Sequence, residues 1–272
     1  MPPESSTTGR ICCPATVISV KRLLRSTVAG LAVTLTASLA ACGSGSGSGS
    51  EAGRPVTVFA AASLTESFTT LGDRFEAAHP GSTVTFNFGG SSALATQINE
   101  GAPADVFASA APANMAAVTD AGTPATFARN QLVIAVGKGN PKGVTGLAAL
   151  TGPRLKVALC AAAVPCGAAA TTAIAAAGVT ITPVTLEQDV KAALSKVRLG
   201  EVDAALVYRT DAKAAAADVD AIEFPESARA VNDYPIAVLT GARNTAGGQA
   251  FVDYVLSPEG LRVLTDAGFQ AP

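Results

Sequence analysis

From Arg54 to the C-terminus, short β-branched runs alternate with segments whose apolar residues return every three or four positions. Val56–Ala60 reads as a buried strand. Leu64, Phe68, Leu71 and Phe75 then put one apolar stripe on a helix over Leu64–Ala78, which His79-Pro80-Gly81 stops. Further strands are expected at Val84–Phe88, Asp105–Ser109, Gln131–Gly137, Leu155–Cys160, Ala204–Tyr208, Ala221–Phe224 and Tyr234–Leu239. Helices are expected over Ser92–Glu100, Ala111–Ala121, Gly146–Thr151, Ala168–Ala177, Asp189–Leu199, Thr210–Ala217, Gln249–Leu256 and Pro258–Ala267. Such alternation argues an α/β fold with largely parallel sheets. The elements are too many for one sheet, so two lobes are expected, with Gln131–Gly137 crossing between them. At 49% hydrophobic and 15% charged residues, packed cores are easily built.

Two of the strand-to-helix turns carry serines among small residues. One runs through Ala60-Ala61-Ala62-Ser63 and the other through Gly89-Gly90-Ser91-Ser92. A helix start presents unpaired N–H groups and partial positive charge, and a serine adds a hydroxyl donor. Two such turns at neighbouring strand ends make a cradle for a small oxyanion. Ser63 with Glu66 also fits a capping box, and Ser92 reads as the cap of its helix. In open α/β sheets ligands sit at the carboxyl ends of strands. The second lobe offers three such places: the Val164–Gly167 turn, Asp189-Val190 opening a helix, and Tyr208.

The first 53 residues read differently. Lys21, Arg22 and Arg25 precede an apolar stretch, Ser26–Leu39, that ends in Leu39-Ala40-Ala41-Cys42. This resembles a lipoprotein signal-peptidase site, which implies cleavage of residues 1–41 and acylation of Cys42. An uncleaved membrane anchor is the alternative, but the run is short and rich in small residues. Gly43–Ser50 is a Gly/Ser repeat, a flexible tether over residues 42–53. Losing residues 1–41 removes Arg10, Lys21, Arg22 and Arg25 against one acid, Glu4, so the rest is more acidic than the net −2 of the whole chain. That balance gives no footing for nucleic acid. An anion would have to be held by local dipoles.

Cys12 and Cys13 leave with the leader. Cys160 and Cys166 remain, and an exported domain meets an oxidising milieu, so a local disulfide is expected, with two free thiols as the alternative. No metal site is expected: two thiols and one histidine form no ligand cluster.

Six segments in order, Ala60–Thr65, Gly90–Ile98, Gly101–Ala110, Val164–Gly167, Glu187–Val190 and Val207–Ala212, resemble the molybdate-binding proteins of ABC transporters. The resemblance spans roughly Pro55 to Phe269. It implies a type II periplasmic-binding-protein fold, two α/β lobes with mostly parallel sheets joined by a hinge. Lobe one would comprise residues 54–130 and 233–272, and lobe two residues 131–232. By position, Ser63 and Ser91 would donate hydroxyl and backbone N–H bonds, Cys166 and Val190 backbone N–H bonds, and Tyr208 its phenolic O–H. Cys166 stands where the family commonly has a small residue. The resemblance further implies a monomer that takes up molybdate or tungstate without a cofactor. It would sit on the outer face of the cell membrane by its lipid anchor and deliver the ion to a permease and its ATPase.

The physics of a donor-only site agrees. A tetrahedral metal-oxide dianion is fully ionised at neutral pH and offers only acceptors, whereas phosphate keeps a proton and asks for an acceptor in return. Hydrogen bonds to a charged group contribute about 1.5–3 kcal/mol each, so six or so offset dehydration. Sulfate and phosphate remain the alternatives within the class. Arg129 and Arg209 are candidate anion clamps but read as solvated; Asp105 reads as structural. An exported hydrolase using Ser63 or Ser91 is the rival class. It is disfavoured because His79 is the one histidine and no G-x-S-x-G elbow surrounds either serine.

Overall fold

The computed structural model describes residues 54–272; the leader, Cys42 and the Gly/Ser tether lie outside them. In chain order the strands are β1 (Val56–Ala61), β2 (Val84–Gly89), β3 (Val106–Ala108), β4 (Ala125–Asn130), β5 (Leu132–Gly137), β6 (Val157–Cys160), β7 (Thr185–Glu187), β8 (Ala204–Tyr208), β9 (Val219–Ile222) and β10 (Asn232–Val238). The helices are α1 (Thr65–Ala78), α2 (Ser91–Asn99), α3 (Pro112–Ala116), α4 (Pro165–Ala177), α5 (Val190–Arg198), α6 (Arg209–Ala214), α7 (Thr245–Leu256) and α8 (Pro258–Ala267).

Two five-stranded sheets result, ordered β2-β1-β3-β10-β4 and β7-β6-β8-β5-β9. In each, four strands point the same way and one is reversed: β10 in the first, β5 in the second. The largely parallel architecture expected from βα alternation is therefore present, with each reversed strand next to the edge. The chain passes from the first sheet to the second between Asn130 and Leu132, and returns between Ile222 and Asn232. β5 is the crossing strand expected at Gln131–Gly137, whereas β4, set apart from it by a break at Gln131, carried no expectation. The break is made by a side chain: Asn130 Oδ1 accepts the Gln131 N–H at 2.9 Å.

Each sheet has its own core. In β1, Val58 and Ala60 face the cluster of Phe68, Phe75, Phe127 and Phe251 under α1, α7 and α8. Phe59 faces the opposite cluster with Leu94, Phe107 and Met115 under α2 and α3, as the alternation of a pleated strand requires. The second core is aliphatic and alanine-rich, built on Leu132, Ile134, Val157, Leu206 and Val207 with Ala169, Ala173 and Ala193 from the helices. Gly178 ends α4 with φ 65°, a left-handed cap that side chains rarely adopt. The helix expected over Ala111–Ala121 stops at Ala116 because Asn99 claims the next turn. Its amide donates to Ala117 O at 2.8 Å and its oxygen accepts the Thr119 N–H at 3.1 Å. The short strand β7 was not anticipated; three half-exposed residues at a sheet edge carry no periodic signal.

Register sets the site. Ala61 at the end of β1 pairs with Gly89 at the end of β2, so the two serine turns leave the first sheet side by side. Cys160 at the end of β6 pairs with Glu187 at the end of β7, so the turns leading to α4 and α5 do the same in the second.

Candidate functional site

A cavity of about 20 Å³ lies where these ends face one another. That is small beside the roughly 300–1,000 Å³ of sites for drug-sized ligands, so it suits an ion of a few atoms. Ser63, Ser91, Cys166, Val190 and Tyr208 all line it, with Gly90, Ala110 and Asp189. All five of the residues singled out from sequence are thus brought together, and each is between 1% and 4% exposed. Bonds made in so dry a place are stronger than in water.

The five reach the cavity from five helix starts. Ser63 lies in a short 3-10 turn, Ala62–Leu64, that precedes α1. Ser91, Cys166 and Val190 fall in the first two positions of α2, α4 and α5, and Tyr208 is the residue before α6. Amides at such positions have no acceptor within their own helix, so they remain free to donate. The partial positive charge of the helix starts is aimed at the same point. Asp189 is the one charged residue on the wall, and its carboxylate is engaged: it caps α5 by accepting the Ala192 N–H at 2.9 Å.

The hydroxyls are oriented from behind. Ser91 Oγ accepts the Ala110 N–H at 3.0 Å, which leaves its own proton for the cavity. Ser63 Oγ lies 2.9 Å from the Tyr234 hydroxyl, and Asn130 Nδ2 donates to that hydroxyl at 3.5 Å and to Thr210 Oγ1 at 2.8 Å. Either hydroxyl of the Ser63–Tyr234 pair can donate to the other. The Tyr208 hydroxyl is buried with no protein partner. Burial pushes the phenols of both tyrosines well up, so each keeps its proton. Of the chain's three tyrosines, two meet here with ring centroids 6.0 Å apart. Tyr234, Asn130 and Ala110 were not anticipated. Their place depends on how β10 pairs with β3 and β4, and a tyrosine beside Asn232 in an apolar strand was the only hint.

Cys160 and Cys166 form a disulfide, Cα to Cα 5.7 Å, holding the turn before α4 against the end of β6. The capping expectations fail. The 3-10 turn turns Ser63 towards Tyr234, leaving Leu64 at the cap of α1 with no side-chain bond. Gly90, not Ser92, precedes α2. Arg129 and Arg209 stay out of the cavity, paired with Asp233 at 2.7 Å and Glu223 at 2.8 Å. Asp105 is structural, though its partners are distant in sequence: it accepts the Thr57, Arg243 and Asn244 N–H groups. His79 closes the far end of α1, stacked on Phe75 at 4.3 Å. The 14 residues of that helix span about 21 Å, so Ser63 has no imidazole base within reach. Among the described residues no His/Cys/Asp/Glu group could hold a metal ion.

A cleft of donors between two α/β lobes, without a nucleophile–base pair, defines a receptor for a small solute. Residues 56–270 match the family described as bacterial extracellular solute-binding protein. The molybdate-binding protein ModA of Mycobacterium tuberculosis (strain ATCC 25618 / H37Rv) is 45% identical over 247 residues, covering 88% of this chain and 95% of that protein. The structure of the Azotobacter vinelandii periplasmic molybdate-binding protein matches with a TM-score of 0.70 at 21% identity, over 80% of this chain and 99% of that one. The sulfate-binding protein SubI of M. tuberculosis H37Rv matches with a TM-score of 0.66 at 17% identity, over 80% and 86%. This chain belongs to the bacterial extracellular solute-binding protein family. The two structural likenesses speak for the fold alone, and that fold serves binders of more than one oxyanion.

Proposed function

We propose that this protein captures molybdate outside the cytoplasm and hands it to an ABC importer, with tungstate as a second ligand. The observation that carries the reading is the cavity itself: donors from both lobes converge, and none of its walls bears a lysine or arginine. A fully ionised tetrahedral dianion matches donors only. The 45% identical relative is named for molybdate, which favours that ion over sulfate. Ser63, Ser91 and Tyr208 supply hydroxyls, and Cys166 and Val190 supply amides. Because donors sit on both walls, the ion holds the lobes shut. No bond is made or broken, so the role is binding and delivery rather than catalysis. Acylation of Cys42 would keep the monomer at the membrane, its Gly/Ser stretch giving the reach to dock on a permease. Among the described residues no helix is long and apolar enough to cross a membrane.

Titration calorimetry with molybdate, tungstate, sulfate and phosphate tests this. Tight binding of the first two and weak or absent binding of the others is expected. Preference for sulfate or phosphate would overturn the choice of ion, and no response to any of the four would overturn the class.

A further inference from the structure

Beside the cavity, one side chain ties the two lobes together. Lys191, the residue after Val190 on α5, places Nζ 2.7 Å from each carboxylate oxygen of Glu66 on α1 and 3.0 Å from Asp211 Oδ1 on α6. Glu66 belongs to the lobe built on the first sheet; Lys191 and Asp211 belong to the other. The two acids differ sharply in setting. The Asp211 side chain is fully buried, while that of Glu66 is 54% exposed. Burial pushes the Asp211 carboxyl up to about 6, against the pull of Lys191. Burial also disfavours the ammonium, yet Asp211 and Glu66 together hold Lys191 above its ordinary value.

Lys191 is therefore anchored in its own lobe and reaches out of it. If the lobes part, its contact with Asp211 stays and its contact with Glu66 is lost. Only an interaction that differs between two states can bias them, and here the Glu66 pair is the one that differs. The cluster holds one positive and two negative charges, and Lys191 does not line the cavity, so it is no counter-ion for a bound anion. Its place is nonetheless tight against the site: Glu66 is three residues past Ser63, and Lys191 one past Val190. We propose that Glu66 and Lys191, braced by Asp211, form a cross-cleft latch that slows opening and ligand release. This rests on the reading that the lobes close around an oxyanion.

Replacing Lys191 would strand a buried carboxylate and endanger the fold, so Glu66→Gln is the cleaner test. Stopped-flow dissociation of molybdate from the purified protein should be about two- to fivefold faster in Glu66→Gln, as for a partly exposed ion pair. The wild-type rate should rise with added salt, which screens the pair, and the variant's should not. Equal rates with equal salt response would overturn the latch. If the wild type binds no oxyanion, the functional reading fails, and small-angle scattering of the ligand-free protein decides the latch. The wild type should then be more compact than Glu66→Gln at low salt and equal to it at high salt, and identical profiles at low salt would overturn it.

Discussion

The two walls of the cleft hold their donors by different means. The first-sheet wall offers serine hydroxyls, each braced from the returning strand β10. Tyr234 meets Ser63 directly, and Asn232 Nδ2 donates to the carbonyl of Ala110, whose N–H in turn meets Ser91. Besides the Tyr208 hydroxyl, the second wall offers the backbone N–H groups of Cys166 and Val190. The turn that carries Cys166 is Ala161-Ala162-Ala163-Val164-Pro165, where no side chain can form a hydrogen bond. There a disulfide and the Asp189 cap do the bracing. The cores follow the same division, aromatic rings in one lobe and small aliphatics in the other. Where side chains are large and polar enough to interlock, they set the geometry; where they are small, a covalent link and backbone caps replace them.

The strongest way to break the comparison is to keep the walls apart. A Cβ at Gly90 would run into the Gln188 carbonyl oxygen across the cleft. Gly90→Val should cut molybdate affinity by a factor on the order of 100 or more, about two charge-assisted bonds. Calorimetry reads that loss, and an unchanged ligand-free Tm separates it from misfolding.

Removing both Cys160 and Cys166 as alanines attacks the second wall alone. Opening so short a loop costs about 2 kcal/mol of stability, read as a lower denaturant midpoint. A midpoint equal to wild type would show that the turn needs no staple. Ser91→Ala attacks the first wall and should weaken binding roughly tenfold, one charge-assisted bond; unchanged affinity would remove Ser91 from the site. The smallest effect is expected from Tyr234→Phe, which keeps the ring against Phe127 and Phe269 but leaves Ser63 unbraced. About threefold weaker binding should result, from a hydrogen bond of about 0.5–1 kcal/mol. Combined with Ser63→Ala it should add nothing, because the two act as a unit.

What could be read from the chain divides along the same line. The periodicity of Leu64, Phe68, Leu71 and Phe75 is local, and so were the signals of the helices and of the longer strands other than β4. Ser63, Ser91, Cys166, Val190 and Tyr208 came from the order of short segments, since none is distinctive alone. Tyr234 and Asn130 were missed because their role appears only once β10 lies beside β4, a pairing between residues far apart in sequence. The capping of α1 was misread because serine three residues before glutamate signals a helix start whether or not a 3-10 turn comes first. β4 was missed because Ala125–Asn130 holds one large apolar residue, Phe127, and so shows no strand-like alternation.

β4 is joined to its sheet through β10 and an isolated bridge from Arg129 to Gln270. Both partners emerge from the ribosome long after it. All five strands of the second sheet, from Leu132 to Ile222, are synthesised before β10 exists. The lobe that is begun first is thus completed last, and a nascent chain ending near Val231 carries a finished rear half with an open-edged front.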